Sequence, residues 1–409
     1  MSDLPKADRT WPPHDTPGAP PVSDEVELHA ADEPQRLLES IVRSLAEAAS
    51  VAWEQLSGVF SLAGDEEVMQ AVALTSLHSH SIPIDSEIAD MIRLHRRISI
   101  GPEGPWLRLM FECVRDGELT VGFDYGAVEL PSDHLLSGEA YQRDIAQYPR
   151  ENVPLWLLAY TGNDGRQMRS AAQARATVSH GIGEVRVADD EIPPLPLLWA
   201  RFAVLAAVGR GSNALVGAVT DPSYQRYSGW AGGCLLARLP GDRGVLSGGS
   251  DSSRLLSAAY RGMTAWPDLY PGAPDWLHNL YLDPRAAAGR LSFCYWWLNG
   301  HWYRAELSGL IAGADADAAW SYRDETAHGV PDVRTAEGAA EQVMTILRTI
   351  GVEPTDGTTG SALRLVRAAE DRTASERHLV ELFAEGVPPT FDLAEALAQL
   401  DAADVLLPD

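Results

Sequence analysis

Hydrophobic and polar residues alternate with a period of two in residues 106–126, and residues 291–306 hold two runs of strand-favouring residues. Alternation of this kind is typical of β-strands. Each stretch is interrupted by a turn dipeptide, Asp116-Gly117 in the first and Asn299-Gly300 in the second. Both dipeptides supply the positive φ angles that a two-residue type I′ turn requires. The sequence therefore predicts two β-hairpins.

The second hairpin is unusually aromatic, with six Phe, Tyr and Trp rings between residues 291 and 306. Apolar residues fall on both faces of its first strand, residues 293–298, which indicates a sheet that is covered on both sides. We expect most of residues 293–297 to be core, together with Trp106, Leu109 and Phe111 of the first hairpin.

Helical spacing of apolar residues appears at 36–56 and 85–99, and Asp85-Ser86 supplies a capping signal for the second of these segments. The order helix, strands, helix, hairpin occurs twice, at about 35–165 and 195–310. This repetition favours a diverged internal duplication, and chance similarity between two α+β patterns is the alternative.

The predicted fold is α+β: two tandem units of mainly antiparallel sheet packed with helices, plus a small C-terminal helical appendage. Residues 1–34 hold seven prolines and eight acidic residues and predict a disordered acidic leader. The predicted domains follow as 35–165, a linker or crossover at 166–194, a second α+β domain at 195–312, and an acidic helical region at 313–409.

The formal net charge is −26. A field of this sign repels nucleic acid and anionic membranes and speeds association with a basic partner, although plain solubility is the alternative explanation. The N-terminus lacks an apolar run of signal-peptide type, and the most apolar segment, 195–209, is too short to span a bilayer and contains Arg201. We expect a cytoplasmic protein that binds neither nucleic acid nor membrane.

Motifs for nucleophilic serine, zinc-protease, phosphate-loop or C-x-x-C chemistry are absent from the sequence. Its three cysteines lie far apart and are expected to be buried thiols. His78 and His80 could share a strand face and bind a metal, but no third ligand lies at a suitable spacing. The glycines at 248–249 could bind an anion, or the following serines could simply cap a helix. We expect no catalytic residue, no metal and no cofactor.

A helix, the 106–126 hairpin, an acidic loop and residues 141–157 together resemble the YezG-like family of bacterial immunity proteins. The similar positions are Tyr141, Asp144, residues 148–150 (Tyr-Pro-Arg), and the Pro154-x-Trp156 pattern, within about 35–160. The second copy departs from this pattern, since Asn-Gly replaces Asp-Gly. The resemblance implies an immunity protein of a polymorphic toxin system, which neutralises a secreted toxin domain by binding it and has no catalytic residues.

Two groups of residues are the predicted partner-binding surface. The return strand of the second hairpin presents Trp302 and Arg304 on one face, and tryptophan and arginine often anchor protein interfaces. Trp302 could instead fill a gap under a helix. The other group is a set of acidic residues in the loop and helix after the first hairpin: Glu129, Asp133, Glu139 and Asp144. The expected partner is a cognate protein toxin of basic charge.

The kind of toxin is left open by the sequence, which fits a nuclease or an NAD-cleaving toxin. Two other functions also stay open. One is an enzyme with an anion-binding cleft between the two domains, using Arg254, Arg285 and Arg290. The other is a secretion adaptor or chaperone that binds its cargo without inhibiting it.

Overall fold

A computed structural model describes residues 27–115, 117–180, 185–307, 321–353 and 355–407. The chain divides into two compact units. Unit 1 comprises Met1–Leu62 and Glu66–Tyr125, and unit 2 comprises Ala63–Asp65 and Gly126–Asp409. Helices and antiparallel sheets occur together, which confirms the α+β class.

Unit 1 contains a five-stranded antiparallel sheet of order β3-β2-β1-β6-β7 and two helices that pack on each other. Trp106, Leu109 and Phe111 are buried in its core, as predicted. Asp85 caps the second helix by accepting a hydrogen bond from the amide of Ile88 (2.9 Å), also as predicted. The elements are α1 (Glu27–Ala48), β1 (Gln55–Ala63), β2 (Glu66–Leu74), β3 (Ser79–Ser81), α2 (Ser86–Ile98), β4 (Ile100–Gly101), β5 (Gly104–Pro105), β6 (Arg108–Val114) and β7 (Leu119–Asp124).

The first predicted hairpin is β6–β7, but its turn differs from the predicted one. The amide of Gly117 donates to the carbonyl oxygen of Val114 (2.9 Å), and the amide of Val114 donates to the carbonyl oxygen of Glu118 (3.0 Å). Gly117 has a φ of 97°. These bonds close a three-residue loop that ends in a left-handed glycine, one residue longer than a type I′ turn. Asp116 itself lies outside the described residues.

Unit 2 contains a seven-stranded antiparallel sheet of order β8-β14-β13-β12-β11-β10-β9. Helices and the long segment 261–292 pack against this sheet and share its hydrophobic core. The elements before the second hairpin are α3 (Gly138–Gln147), α4 (Leu155–Gly162), α5 (Ala171–His180), β8 (Val185–Val187), α6 (Leu195–Gly211), β9 (Gly217–Asp221), β10 (Tyr224–Ser228), β11 (Gly232–Leu239), β12 (Arg243–Ser250) and α7 (Arg254–Tyr260). The remaining elements are β13 (Phe293–Leu298), β14 (His301–Ala305), α8 (Tyr322–Gly329), α9 (Ala336–Arg348), α10 (Asp356–Glu370), α11 (Glu376–Val380) and α12 (Leu393–Ala402).

The second hairpin forms as the sequence predicts. Leu298 pairs with His301, and Asn299 (φ 53°) and Gly300 (φ 83°) make the two-residue turn. Residues 293–297 are all buried, so both faces of β13 are covered. The Asn-Gly signal therefore identified both the turn and the register of the strands that flank it.

Helix α6 is the centre of unit 2 and is buried almost all round. Helices α9, α10 and α12 pack against it, and their apolar residues belong to the same hydrophobic core as the sheet. The C-terminal helices are therefore part of the core of unit 2 rather than an appendage to it. Arg201 within α6 is paired with Glu370 (2.6 Å). Across the described residues, no helix is long and apolar enough to cross a membrane.

The compact units divide the chain at residue 125, so residues 126–165 cluster with unit 2. Within the expected linker, 166–194, lie α5 and the edge strand β8, which pairs with β14. Most of the expected leader, residues 1–26, lies outside the described residues.

The strand orders also differ between the units. In unit 1 the hairpin pairs with the first strand after α1, whereas in unit 2 it pairs with the last strand before α7. The same order of elements thus gives two different sheet topologies.

Candidate partner-binding surface

The acidic loop, residues 126–139, is held in place by hydrogen bonds from aromatic side chains. The indole Nε1–H of Trp156 donates to the carbonyl oxygen of Gly126 (2.6 Å), and the hydroxyl of Tyr160 donates to the carbonyl oxygen of Leu136 (2.8 Å). The ring of Tyr141 packs edge-on against both Trp156 and Tyr160. Three aromatic side chains of α3 and α4 therefore fix the backbone of a loop that carries little regular structure.

The outer side of this loop carries three of the four predicted acidic residues. Glu129 is exposed and forms an ion pair with Arg290 (2.7 Å). Asp133 is exposed, with its carboxylate 3.8 Å from the imidazole of His134. Glu139 is exposed in the first turn of α3, which is favourable because carboxylates stabilise helix N-termini. The structure thus brings Glu129, Asp133 and Glu139 to the solvent side of one ordered segment.

Asp144 is placed differently, because its side chain is only 1% exposed. Its carboxylate accepts a hydrogen bond from the amide of Gly64 (3.2 Å) and lies 3.7 Å from the guanidinium of Arg150. Asp144 and Arg150 form a buried pair, so Asp144 supports the helix from inside and is not on the solvent-facing surface. The acidic pattern of the sequence could not separate it from its exposed neighbours.

Trp302 lies in the core, since its side chain is 0% exposed. Its indole Nε1–H donates to the carbonyl oxygen of Pro193 (2.8 Å), just before α6. Its ring packs against Trp297, with centroids 5.4 Å apart. The structure therefore corrects the interface assignment of Trp302. The alternative, that the ring fills space under a helix, describes its position.

Arg304 is likewise buried, in a polar network on the inner part of unit 2. Its guanidinium binds Glu191 with contacts of 2.8 and 3.0 Å and lies over the ring of Tyr322, 4.3 Å from the centroid. The hydroxyl of Tyr295 donates to the same carboxylate (2.8 Å). Because the N–H groups of its guanidinium donate hydrogen bonds inside the protein, Arg304 stabilises the hairpin and does not face a partner.

The arginines considered for an anion-binding cleft have separate surroundings. Arg254 is exposed, and Arg290 is paired with Glu129. Arg285 lies against the backbone of Gly233, and its guanidinium is 3.7 Å from both Asp251 and Asp283. The hydroxyl of Ser253 caps α7 by accepting from the amide of Leu256 (3.2 Å), so the glycine- and serine-rich segment forms a helix cap.

Metal and thiol chemistry have little support among the described residues. Nowhere in these ranges do three or more histidine, cysteine, aspartate or glutamate side chains come together to hold a metal. His78 and His80 are exposed at β3. Cys234 and Cys294 are buried, and burial raises the pKa of the Cys294 thiol to about 12. Such thiols are protonated and unreactive at neutral pH.

Trp230 is a residue that the sequence reading did not select. Its side chain is 82% exposed in the turn between β10 and β11. A signal was present, because Trp230 stands in the sequence Ser-Gly-Trp-Ala-Gly-Gly between two strands. A tryptophan in a glycine-rich turn has few neighbouring side chains to cover it, whereas the aromatic density near Trp302 indicated a core.

The chain matches no protein-family model and no curated protein sequence.

Proposed function

We propose that the protein is a cytoplasmic immunity protein that binds a basic protein toxin and neutralises it by covering its active site. The observation that carries this proposal is the acidic loop of unit 2. Its carboxylates at Glu129, Asp133 and Glu139 face solvent, while Trp156 and Tyr160 donate hydrogen bonds to its backbone. The resemblance of residues 35–160 to YezG-like immunity proteins supports the same function.

A loop that is already ordered before binding is suited to a protein interface. Ordering a flexible segment costs free energy at the moment of association, and a fixed loop avoids that cost. Exposed carboxylates add long-range attraction to a basic partner, which raises the association rate and makes it dependent on salt. A net charge of −26 extends this attraction over the whole chain.

A nuclease is the toxin class that this charge suits best. The clefts of nucleases are basic because they bind the phosphate backbone, and a row of carboxylates can occupy such a cleft in place of phosphates. The proposal therefore commits to binding by occlusion, with one immunity protein for each toxin domain.

The test first asks whether the neighbouring gene encodes a secreted protein with a C-terminal toxin domain. That domain is then co-expressed with this protein, and binding is measured on the purified pair. The wild-type protein should rescue growth and should bind the domain with an affinity that falls as salt is raised. The variant Glu129→Lys/Asp133→Lys/Glu139→Lys should bind at least about tenfold more weakly and with a smaller salt dependence.

The matched control is Glu376→Lys/Glu385→Lys/Asp401→Lys, which changes the net charge equally at three exposed carboxylates of the C-terminal region. If both triple variants lost the same affinity, only the overall charge would matter and the acidic loop would not be the binding surface. Failure of the wild-type protein to bind the toxin domain or to rescue growth would overturn the proposed function.

A further inference from the structure

The turn that carries Trp230 is a tight connection between two central strands of unit 2. Ser228 pairs with Gly233, and the amide of Gly229 donates to the carbonyl oxygen of Gly232 (2.8 Å). Trp230 and Ala231 are thus the two residues at the tip of a β-hairpin. The indole extends from a seven-stranded sheet into solvent with 82% of its surface exposed.

This tip is fixed by its neighbours. The amide of Asp251 donates to the carbonyl oxygen of Ala231 (2.9 Å), which ties the tip to the end of β12. Gly232 has a φ of 156°, and a Cβ atom there would lie 2.3 Å from the carbonyl oxygen of Gly249. Since no side chain fits at Gly232, the backbone beneath Trp230 is packed directly on β12. The indole is therefore presented from a rigid base.

A continuous row of contacts within unit 2 joins this tip to the acidic loop. Asp251 is bonded to the tip, and Gly249, two residues earlier, packs on the carbonyl oxygen of Arg290. Arg290 in turn is paired with Glu129. These contacts connect the tip to Asp251 directly and, through the backbone at Gly249 and Arg290, to Glu129, all within one compact unit.

The composition of this region indicates the chemistry of its partner. Tryptophan is the side chain that most often contributes a large share of binding free energy at protein interfaces, where it fills an apolar pocket and is surrounded by a polar rim. Here the carboxylate of Asp251, whose amide is bonded to the tip, is 42% exposed and lies 3.7 Å from the guanidinium of Arg285, and the chain as a whole carries a net charge of −26. A partner that fits the indole and this acidic charge has an apolar pocket bordered by basic residues.

We infer that Trp230 is the anchor of the partner interface and inserts into an apolar pocket with a basic rim on the toxin domain. This inference rests on the proposed function and adds a named contact to it. Binding energy comes mainly from the buried indole, while the carboxylates at Asp251 and Glu129 set the orientation and the rate of association.

The experiment measures the affinity of the full-length protein for the catalytically inactivated toxin domain encoded by the neighbouring gene. Trp230→Ala should weaken binding by at least about 30-fold, the range of an interface hot spot. Its melting temperature should stay unchanged because the side chain is exposed. The matched control is Leu77→Ala, which removes an apolar side chain that is 83% exposed near a strand turn of unit 1 and should leave affinity unchanged.

Oxidative footprinting of the same complex gives a second measurement that needs no variant. Trp230 should be oxidised in the isolated protein and protected in the complex. Wild-type affinity in Trp230→Ala, or unchanged oxidation of Trp230 in the complex, would overturn the inference while leaving the proposed function intact. If the wild-type protein did not bind the toxin domain at all, both would be overturned.

Discussion

The two hairpins that the sequence predicts in the same way occupy different places in their sheets. Hairpin β6–β7 lies at the margin of the five-stranded sheet, with β7 as the outermost strand, and Phe123 on β7 is 41% exposed. Hairpin β13–β14 lies inside the seven-stranded sheet, between β12 and β8. A turn dipeptide between alternating residues thus predicts pairing of two strands, but the strands that flank the pair decide how deeply it is buried.

The difference is largest on the return strands. On β14, Trp302 is enclosed because β8 adds one more strand, Trp297 packs against the ring and the carbonyl oxygen of Pro193 accepts a hydrogen bond from the indole. On β7 the corresponding side has no further strand among the described residues, so Phe123 stays partly in solvent. An aromatic residue on a return strand is therefore surface or core according to a segment far away in the chain.

The largest effect that separates the hairpins is expected from truncation of these two rings. Trp302→Ala removes a fully buried ring and its hydrogen bond to Pro193, so it should lower the free energy of unfolding by about 3 to 5 kcal/mol. Phe123→Ala removes a ring that is already partly hydrated and should cost about 1 kcal/mol. Urea denaturation followed by circular dichroism measures both.

Trp302→Phe serves as the control for this comparison, because it keeps much of the apolar volume and loses the hydrogen bond. We expect its free energy of unfolding to lie between that of the wild type and that of Trp302→Ala. Equal losses for Trp302→Ala and Phe123→Ala would mean that the two return strands are equally covered, contrary to the structure.

The second-largest effect is a pH dependence of stability that His95 gives to unit 1. His95 of unit 1 is buried between Trp106 and Phe123, and burial lowers its pKa from 6.5 to about 4. The unfolded chain therefore takes up a proton at a higher pH than the folded one. The stability that neutral His95 contributes is full above pH 6.5 and is lost as the pH falls through about 4. The loss should amount to about 2 kcal/mol, allowing for partial solvent screening.

The measurement is the free energy of unfolding at a series of pH values for the wild type and for His95→Gln. The variant keeps an acceptor for the indole N–H of Trp106 but does not titrate. The difference in free energy of unfolding between the variant and the wild type should therefore change between pH 6.5 and 4. A difference that is constant over this range would show that His95 titrates normally in the folded protein.

Local signals predicted local structure well. Asp85 identified a helix start, Asn299-Gly300 identified a turn, and the period of two identified β6. Contacts between distant segments were not predictable in the same way. Strand β8 is three residues in a polar stretch, and its place in the sheet is set by pairing with β14, more than 100 residues later. Periodicity within one segment contains no information about such a partner.

The predicted site divides along the same line. Glu129, Asp133 and Glu139 are exposed because they lie on a loop and a first helical turn, which a sequence pattern can indicate. Asp144 and Arg304 are buried and paired, Asp144 with Arg150 six residues later and Arg304 with Glu191 more than 100 residues earlier. Neither pairing follows from the sequence pattern, which assigns charged residues to the surface.

The smallest effect is expected at the turns, where the two hairpins should respond alike. Gly117 and Gly300 both have positive φ, and a Cβ atom at either position would have nothing within 4 Å. The cost of Gly117→Ala or Gly300→Ala is therefore backbone strain alone, about 1 kcal/mol in each hairpin. Denaturation of the two variants in parallel measures this cost, with Gly101→Ala as a control because Gly101 has equally open space and no positive φ. If Gly300→Ala were as destabilising as Trp302→Ala, the turn would be setting the register of the buried strands, and the equal response expected of the two hairpins would be lost.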